Sequence, residues 1–292
     1  MWADGAPGAY GGAFLAGAGL LYDAAAVPAR VSSMSLLVWI LLFCLLGGVL
    51  SVLAAGTFLL LPVGLRMRLL PHFVSFAIGA LLGAALLGLL PHALAAPGVT
   101  DSHSVTAALL GGLFGFFLLE KLVLWRHCHA QDCEIHGGEP ETHNPSAGVL
   151  ILIGDGIHNF IDGILIGAAF LTDLHLGIVT ALAVTAHEIP QEVGDFAVLL
   201  HSGFSRARAL MFNLLSSFTT VVGGVLAYYS LQHVQAVLPY VLAIAASSFI
   251  YVAVADLIPG LHKRVEFRET LKQLLLIGAG VALIAVTHST LH

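Results

Sequence analysis

Three observations predict an all-α integral membrane fold of eight transmembrane helices. Only 10% of the 292 residues are charged and 58% are hydrophobic, against roughly 25% charged in a soluble domain. The apolar residues gather into eight runs, each long enough to cross the hydrocarbon core as a helix, which takes about 20 residues. The runs are continuous rather than alternating, so self-satisfied helices are expected and a barrel is not. With Lys+Arg 11 against Asp+Glu 17 and a formal charge of -6, no basic surface is left to neutralise phosphates, which excludes a nucleic-acid partner and leaves the lipid bilayer as the surroundings. Cysteines 44, 128 and 133 make no disulfide framework.

In chain order, residues 1–33 form a Gly/Ala-rich extension whose apolar stretch from Gly11 to Leu21 follows no basic residue. It is a poor secretory signal, and no functional role is expected of it. The membrane domain covers 34–292, with spans at about 35–61, 73–95, 104–125, 147–171, 175–200, 207–230, 236–258 and 271–290. Arg66, Arg68, Lys121, Arg126, Arg206, Arg208, Lys263, Arg264, Arg268 and Lys272, ten of the eleven basic residues, fall in or beside the odd-numbered connections. Basic residues mark the cytoplasmic side, so a multi-pass protein of a cell or inner membrane with both termini outside is expected. Short connections make consecutive spans antiparallel neighbours, and Gly111, Gly112, Gly115, Gly163, Gly167, Gly223 and Gly224 are read as close helix contacts. The long exception is 126–146, a polar, histidine-rich stretch on the cytoplasmic side.

Ionisable residues inside such spans are expensive and mark functional sites. In span four, Asp155, His158, Asn159 and Asp162 stand at i, i+3, i+4 and i+7, on one helix face. Span five repeats the device with His187, Glu188, Gln191, Glu192 and Asp195. Both stripes lie near mid-span, so they are expected to face each other at one depth. Pro190 removes the backbone donor for Ala186 and is expected to kink span five there. Imidazole, carboxylate and amide oxygen on facing helices make a ligand set for a divalent cation: zinc first, with iron and manganese admitted by the oxygens and cadmium a further alternative. A purely structural hydrogen-bonded cluster would leave several buried acids uncompensated.

Outside the centre, Asp155, Asp195 and Asp256 are read as lining a pathway, with His92 at the outer end of span two. Asp101, His103, Asp173 and His175 are outer-surface residues that could gather cations or simply solvate loops. The stretch 126–146 offers His127, Cys128, His129, Cys133, His136 and His143, a composition suited to loose metal binding, in a spacing that fits no zinc finger.

The stretches His158-Asn159-x-x-Asp162-Gly163 and His187-Glu188-x-Pro190-Gln191-Glu192-x-Gly194-Asp195 resemble the signatures HNxxDG and HExPHExGD of the histidine-loop-bearing branch of the ZIP, or ZRT/IRT-like, metal transporters. The resemblance covers about 34–292. It implies transport of a divalent metal into the cytoplasm by alternating access, the metal being cargo rather than cofactor. It also implies His158, Asp162, His187 and Gln191 as ligands, completed by Asn159, Glu188 and Glu192, and room in the family for two adjacent metals. Gln191 departs from the pattern by standing where that branch has its second histidine. A homodimer is compatible with the sequence. Two competing functions are an intramembrane zinc protease, whose HExxH motif lacks its second histidine here, and a membrane metal sensor that does not transport.

Overall fold

A computed structural model describes residues 33–130, 145–262 and 266–291, and every regular element among them is helical. Eight long rods result. The first is α1 (Ser33–Leu45), a π-helical turn (Leu46–Leu50) and α2 (Ser51–Phe58). The second is α3 (Val63–Gly83), a π turn (Ala84–Leu89) and α4 (Leu90–Ala95). Then come α5 (Ser102–Ala130), α6 (Pro145–Thr172), α7 (Leu174–His201) and α8 (Arg206–Leu231). The seventh rod joins α9 (Leu238–Tyr251), a π turn (Val252–Leu257) and α10 (Ile258–Leu261), and the eighth is α11 (Phe267–Leu291). Seven rods are long and apolar enough to cross a membrane. The other is α7, whose 28 residues reach about 42 Å at the helical rise but carry the histidine and acids of the second polar stripe.

Two helix starts differ from the expected ones by more than two residues. The second rod begins at Val63 rather than near 73, because Pro62, extended at φ -55 and ψ 142, starts the helix and Pro71 is accommodated inside it. Arg66 and Arg68 therefore sit in its first turns rather than in a connection. The eighth begins at Phe267 rather than 271, with Lys272 paired to Glu269 at 2.6 Å across its first turns. Residues 1–32 of the extension and 131–144 of the polar stretch lie outside the described residues.

The core is built from Ile40, Leu81, Leu89, Ile166, Leu176 and Phe249, all buried, while Phe114, Leu118, Leu274 and Leu275 face outward. Large apolar side chains on the outside of a bundle are what a lipid surround requires. The tightest pairings are α6 with α8, α3 with α11, and α5 with α9. Missing side chains permit them. A Cβ on Gly163 would strike the Thr220 carbonyl across α6 and α8, and one on Gly79 would strike the Ile277 carbonyl across α3 and α11. A Cβ on Gly112 would strike the Ser247 side chain, whereas Gly111 and Gly115, also expected at a contact, face open space. Gly163→Ala and Gly79→Ala are accordingly expected to destabilise by about 1–3 kcal/mol through overpacking, seen as a lower unfolding temperature in detergent. Gly111→Ala should leave that temperature unchanged or raise it, since alanine favours the helix.

Candidate metal centre

The two polar stripes meet. α6 and α7 are antiparallel neighbours joined at Asp173, whose side chain accepts from the His175 and Leu176 backbone N–H groups and so starts α7 immediately after α6. That short turn fixes the register in which mid-helix residues face each other. His158 Nε2 lies 3.2 Å from His187 Nε2, 3.6 Å from Asp162 Oδ2 and 3.5 Å from Glu188 Oε1. His187 Nε2 lies 3.2 Å from Asp162 Oδ2 and 3.7 Å from Glu188 Oε1. One donor atom from each of the four residues falls within 4.8 Å of all the others. Asp162, His187 and Glu188 are buried, and only His158 keeps contact with open space, at 22% exposure.

The chemistry of the cluster follows from one tautomer. His187 Nδ1 is 3.1 Å from the Ala183 carbonyl, and a carbonyl can only accept, so Nδ1 carries a hydrogen and, in the neutral ring, Nε2 presents a lone pair to the cluster. His187 Nε2 then has no hydrogen to give Asp162, and their 3.2 Å contact sets lone pair against lone pair. Both oxygens of Asp162 and both of Glu188 are buried with no hydrogen-bond partner. A cation among them removes the conflict. Two nitrogens bound to zinc at the tetrahedral angle stand about 3.3 Å apart, which the 3.2 Å between the imidazole nitrogens matches.

The remaining expected ligands stand one layer out. The Asn159 amide nitrogen donates to Asp155 Oδ1 at 2.8 Å, and its oxygen accepts from Thr220 at 2.8 Å. Glu192 Oε1 accepts from Ser217 at 2.6 Å, while Oε2 is buried without a partner. Gln191 lies against Asp155, which also accepts from Ser216 at 2.5 Å. α8 thus supplies the hydroxyls that orient the acids and amide of α6 and α7. One residue of α8 escaped the sequence reading: Asn213, 1% exposed with neither amide atom hydrogen-bonded. Asn213, Ser216, Ser217 and Thr220 repeat the i, i+3, i+4, i+7 spacing of α6, and that repeat was the available signal.

A cavity of about 450 Å³ opens from the cluster at His158 and is lined also by Asp155, Gln191, Asp195, Glu120 and Asp256. Tyr251 donates to Glu120 in its wall. Asp155, Asp195 and Asp256 therefore line one cavity, together with Glu120, which, next to Lys121 at the end of an apolar run, carried no sequence signal. Asp256 owes its place to the π turn Val252–Leu257. The structure puts His92 elsewhere, its Nδ1 2.9 Å from the Gly88 carbonyl and its ring 5.3 Å from that of His288. Asp101 and Asp173 receive backbone N–H groups at helix starts. The side chains of His127, Cys128 and His129, and residues Cys133, His136 and His143 entirely, lie outside what is described.

Comparison with known proteins gives a consistent result. Residues 126–288 match the family pattern described as ZIP Zinc transporter. Zinc transporter ZIP13 of Pongo abelii is 31% identical over 265 residues, 83% of this chain and 77% of that protein. Zinc transporter ZIP4 of Mus musculus is 33% identical over 255 residues, and zinc transporter ZIP10 of Homo sapiens 39% identical over 139 residues. Those matches take in 65% and 46% of this chain but only 38% and 17% of the two relatives, so the chain spans well under half the length of each.

Zinc titration of the detergent-purified protein should separate the two layers. Thr220→Val, which strips a donor from Asn159, is expected to weaken binding by about tenfold, the lower end for an outer-layer partner. His187→Ala or Asp162→Ala should weaken it by more than about 100-fold, beyond the usual outer-layer range.

Proposed function

The chain belongs to the ZIP zinc transporter family, and on that premise we propose that it carries zinc across a membrane, bound in transit by His158, Asp162, His187 and Glu188. The observation that supports this most is the convergence of four ligand atoms within 4.8 Å, the carboxylate oxygens among them buried without a hydrogen-bond partner. Two imidazoles favour zinc and cadmium, and the two carboxylates keep iron and manganese within reach. With two acids facing one dication, the charges balance at a depth where an isolated charge is costly. No thiolate closes the shell, so the ion is held firmly enough to leave water and loosely enough to go on.

The passage past Asp155, Asp195 and Asp256 runs toward the ends of α3, α7 and α9. By the distribution of basic residues these are the cytoplasmic ends, so the arrangement represents the state that releases metal inward, with both termini outside. One turn before His187 in α7, Ala183 and Val184 are buried in the apolar core with Leu89 and Phe249. Alternating access then requires the bundle containing α6 and α7 to shift against the remaining helices, exposing the same cluster outward. Gln191 lies against Asp155 at the cavity wall rather than in a second zinc-binding corner, which supports transport over proteolysis.

Purified protein in vesicles loaded with a zinc indicator should give a rising signal on external zinc, lost with His158→Ala or Asp162→Ala. Vesicles that stay dark while the detergent-solubilised protein still binds zinc would overturn transport. A competition series with cadmium, iron and manganese in that assay ranks the cargo. Gln191→His, which adds an imidazole four residues from His187, is expected to raise zinc preference over manganese; an unchanged ratio would show that position 191 does not reach the ion.

A further inference from the structure

A second cavity, of about 460 Å³, lies apart from the metal cluster, between Leu53 and Gly56 of α2, Arg66 of α3, Phe196 of α7, and Arg206 and Leu210 of α8. Its two charges are both guanidinium groups, and no acid lines it. Among the described residues neither arginine is paired with a carboxylate, and Arg66 Nε is buried with no hydrogen-bond partner. A buried guanidinium nitrogen without an acceptor is costly in an apolar wall. α8 begins at Arg206, so the positive end of a 26-residue helix faces the same space. Both arginines lie at the ends of candidate spans, Val63–Ala95 and Arg206–Leu231, the depth at which phospholipid phosphates sit. Apart from Thr57, whose hydroxyl donates to the Ala54 carbonyl, the remaining wall, with Leu53, Phe196 and Leu210, is apolar and runs along the helices.

We propose that this cavity binds an anionic phospholipid, with the phosphate held by Arg66 and Arg206 and an acyl chain lying against Leu53, Phe196 and Leu210. Basic pockets between transmembrane helices recognise acidic headgroups by this combination of charge and apolar wall. Inorganic phosphate would use the arginines and leave the apolar wall in contact with nothing. A zwitterionic lipid brings its own cation beside two guanidiniums. The bound headgroup bridges α3, which packs chiefly on α11, and α8, which packs chiefly on α6, so it joins two helix pairs that the glycine contacts keep separate.

The test is native mass spectrometry of the full chain in detergent, offered equal amounts of phosphatidylglycerol and phosphatidylcholine. Preferential retention of one phosphatidylglycerol is expected, with the preference falling about fivefold on Arg66→Gln and about fivefold again on Arg206→Gln. Gly56→Leu keeps both charges and fills the cavity. Its Cβ would stand 3.7 Å from Leu210 Cδ1, an ordinary contact, and retention should be lost. The rise in unfolding temperature on adding zinc checks that each variant is folded, since none of these positions touches His158 or His187. Should an arginine variant fail that check, the wild-type preference and its loss in Gly56→Leu decide the matter. Equal retention of the two lipids, or a preference that survives in Gly56→Leu, overturns the site. Displacement of phosphatidylglycerol by millimolar inorganic phosphate would reduce it to a simple anion site and overturn the lipid assignment.

Discussion

Five carboxylate oxygens, from Asp162, Glu188 and Glu192, are buried without a hydrogen-bond donor in the middle of an apolar bundle. Among the described residues no other group of buried polar atoms is as unfavourable on its own, and the surrounding architecture reads as the means of holding these groups together against repulsion. The Ala183 carbonyl fixes the His187 tautomer, so the imidazole adds a lone pair rather than a donor. Ser217 restrains one oxygen of Glu192 and leaves the other free. Each choice increases the attraction for a cation and decreases the stability of the cluster without one.

Such a cluster needs rigid support, which the closest helix pair provides. Thr220 reaches the Asn159 oxygen at 2.8 Å only because α6 and α8 approach until a Cβ on Gly163 would collide with the Thr220 carbonyl. The same residue thus makes the backbone contact and the hydrogen bond, and the glycine of the first motif serves a hydroxyl two helices on in sequence. Site geometry and helix packing are in this respect one constraint. A bulkier residue at 163 would disturb the Thr220 to Asn159 link before it touched a donor atom of the cluster.

Much of this was legible in the chain. The i, i+3, i+4, i+7 stripes of α6 and α7 have only one way to avoid lipid, and their facing followed from a connection too short to permit anything but antiparallel packing. Helix starts were less legible. Arg66, Arg68 and Pro71 look like a break, yet a helix starting at Pro62 carries them, because arginines at a span end extend toward the headgroups and a proline inside a membrane helix is tolerated. The division of labour within the stripes was hidden as well: Asn159 and Gln191 have the same chemistry as a ligand, and only the positions of Thr220 and Asp155 show that their amides are engaged elsewhere. Glu120 could not be found from its neighbours, since its significance lies in meeting Tyr251, 131 residues away.

The donors in the cavity bear on how an ion could leave. At the cluster, two imidazoles and two carboxylates converge. The cavity that opens from His158 is lined instead by Asp155, already engaged by Ser216 and Asn159, by Asp195, by Glu120, which accepts from Tyr251, and by Asp256 of a π turn. Imidazole is confined to the cluster, and with it the preference for a late first-row metal; the cavity beyond offers oxygens, and the protein's own hydroxyls already hold Asp155 and Glu120. An ion leaving the cluster trades specific ligands for generic ones, and finally for water. Donors of matching strength throughout the cavity would hold the cargo, whereas weaker ones let the proposed binding cluster be selective while release stays fast.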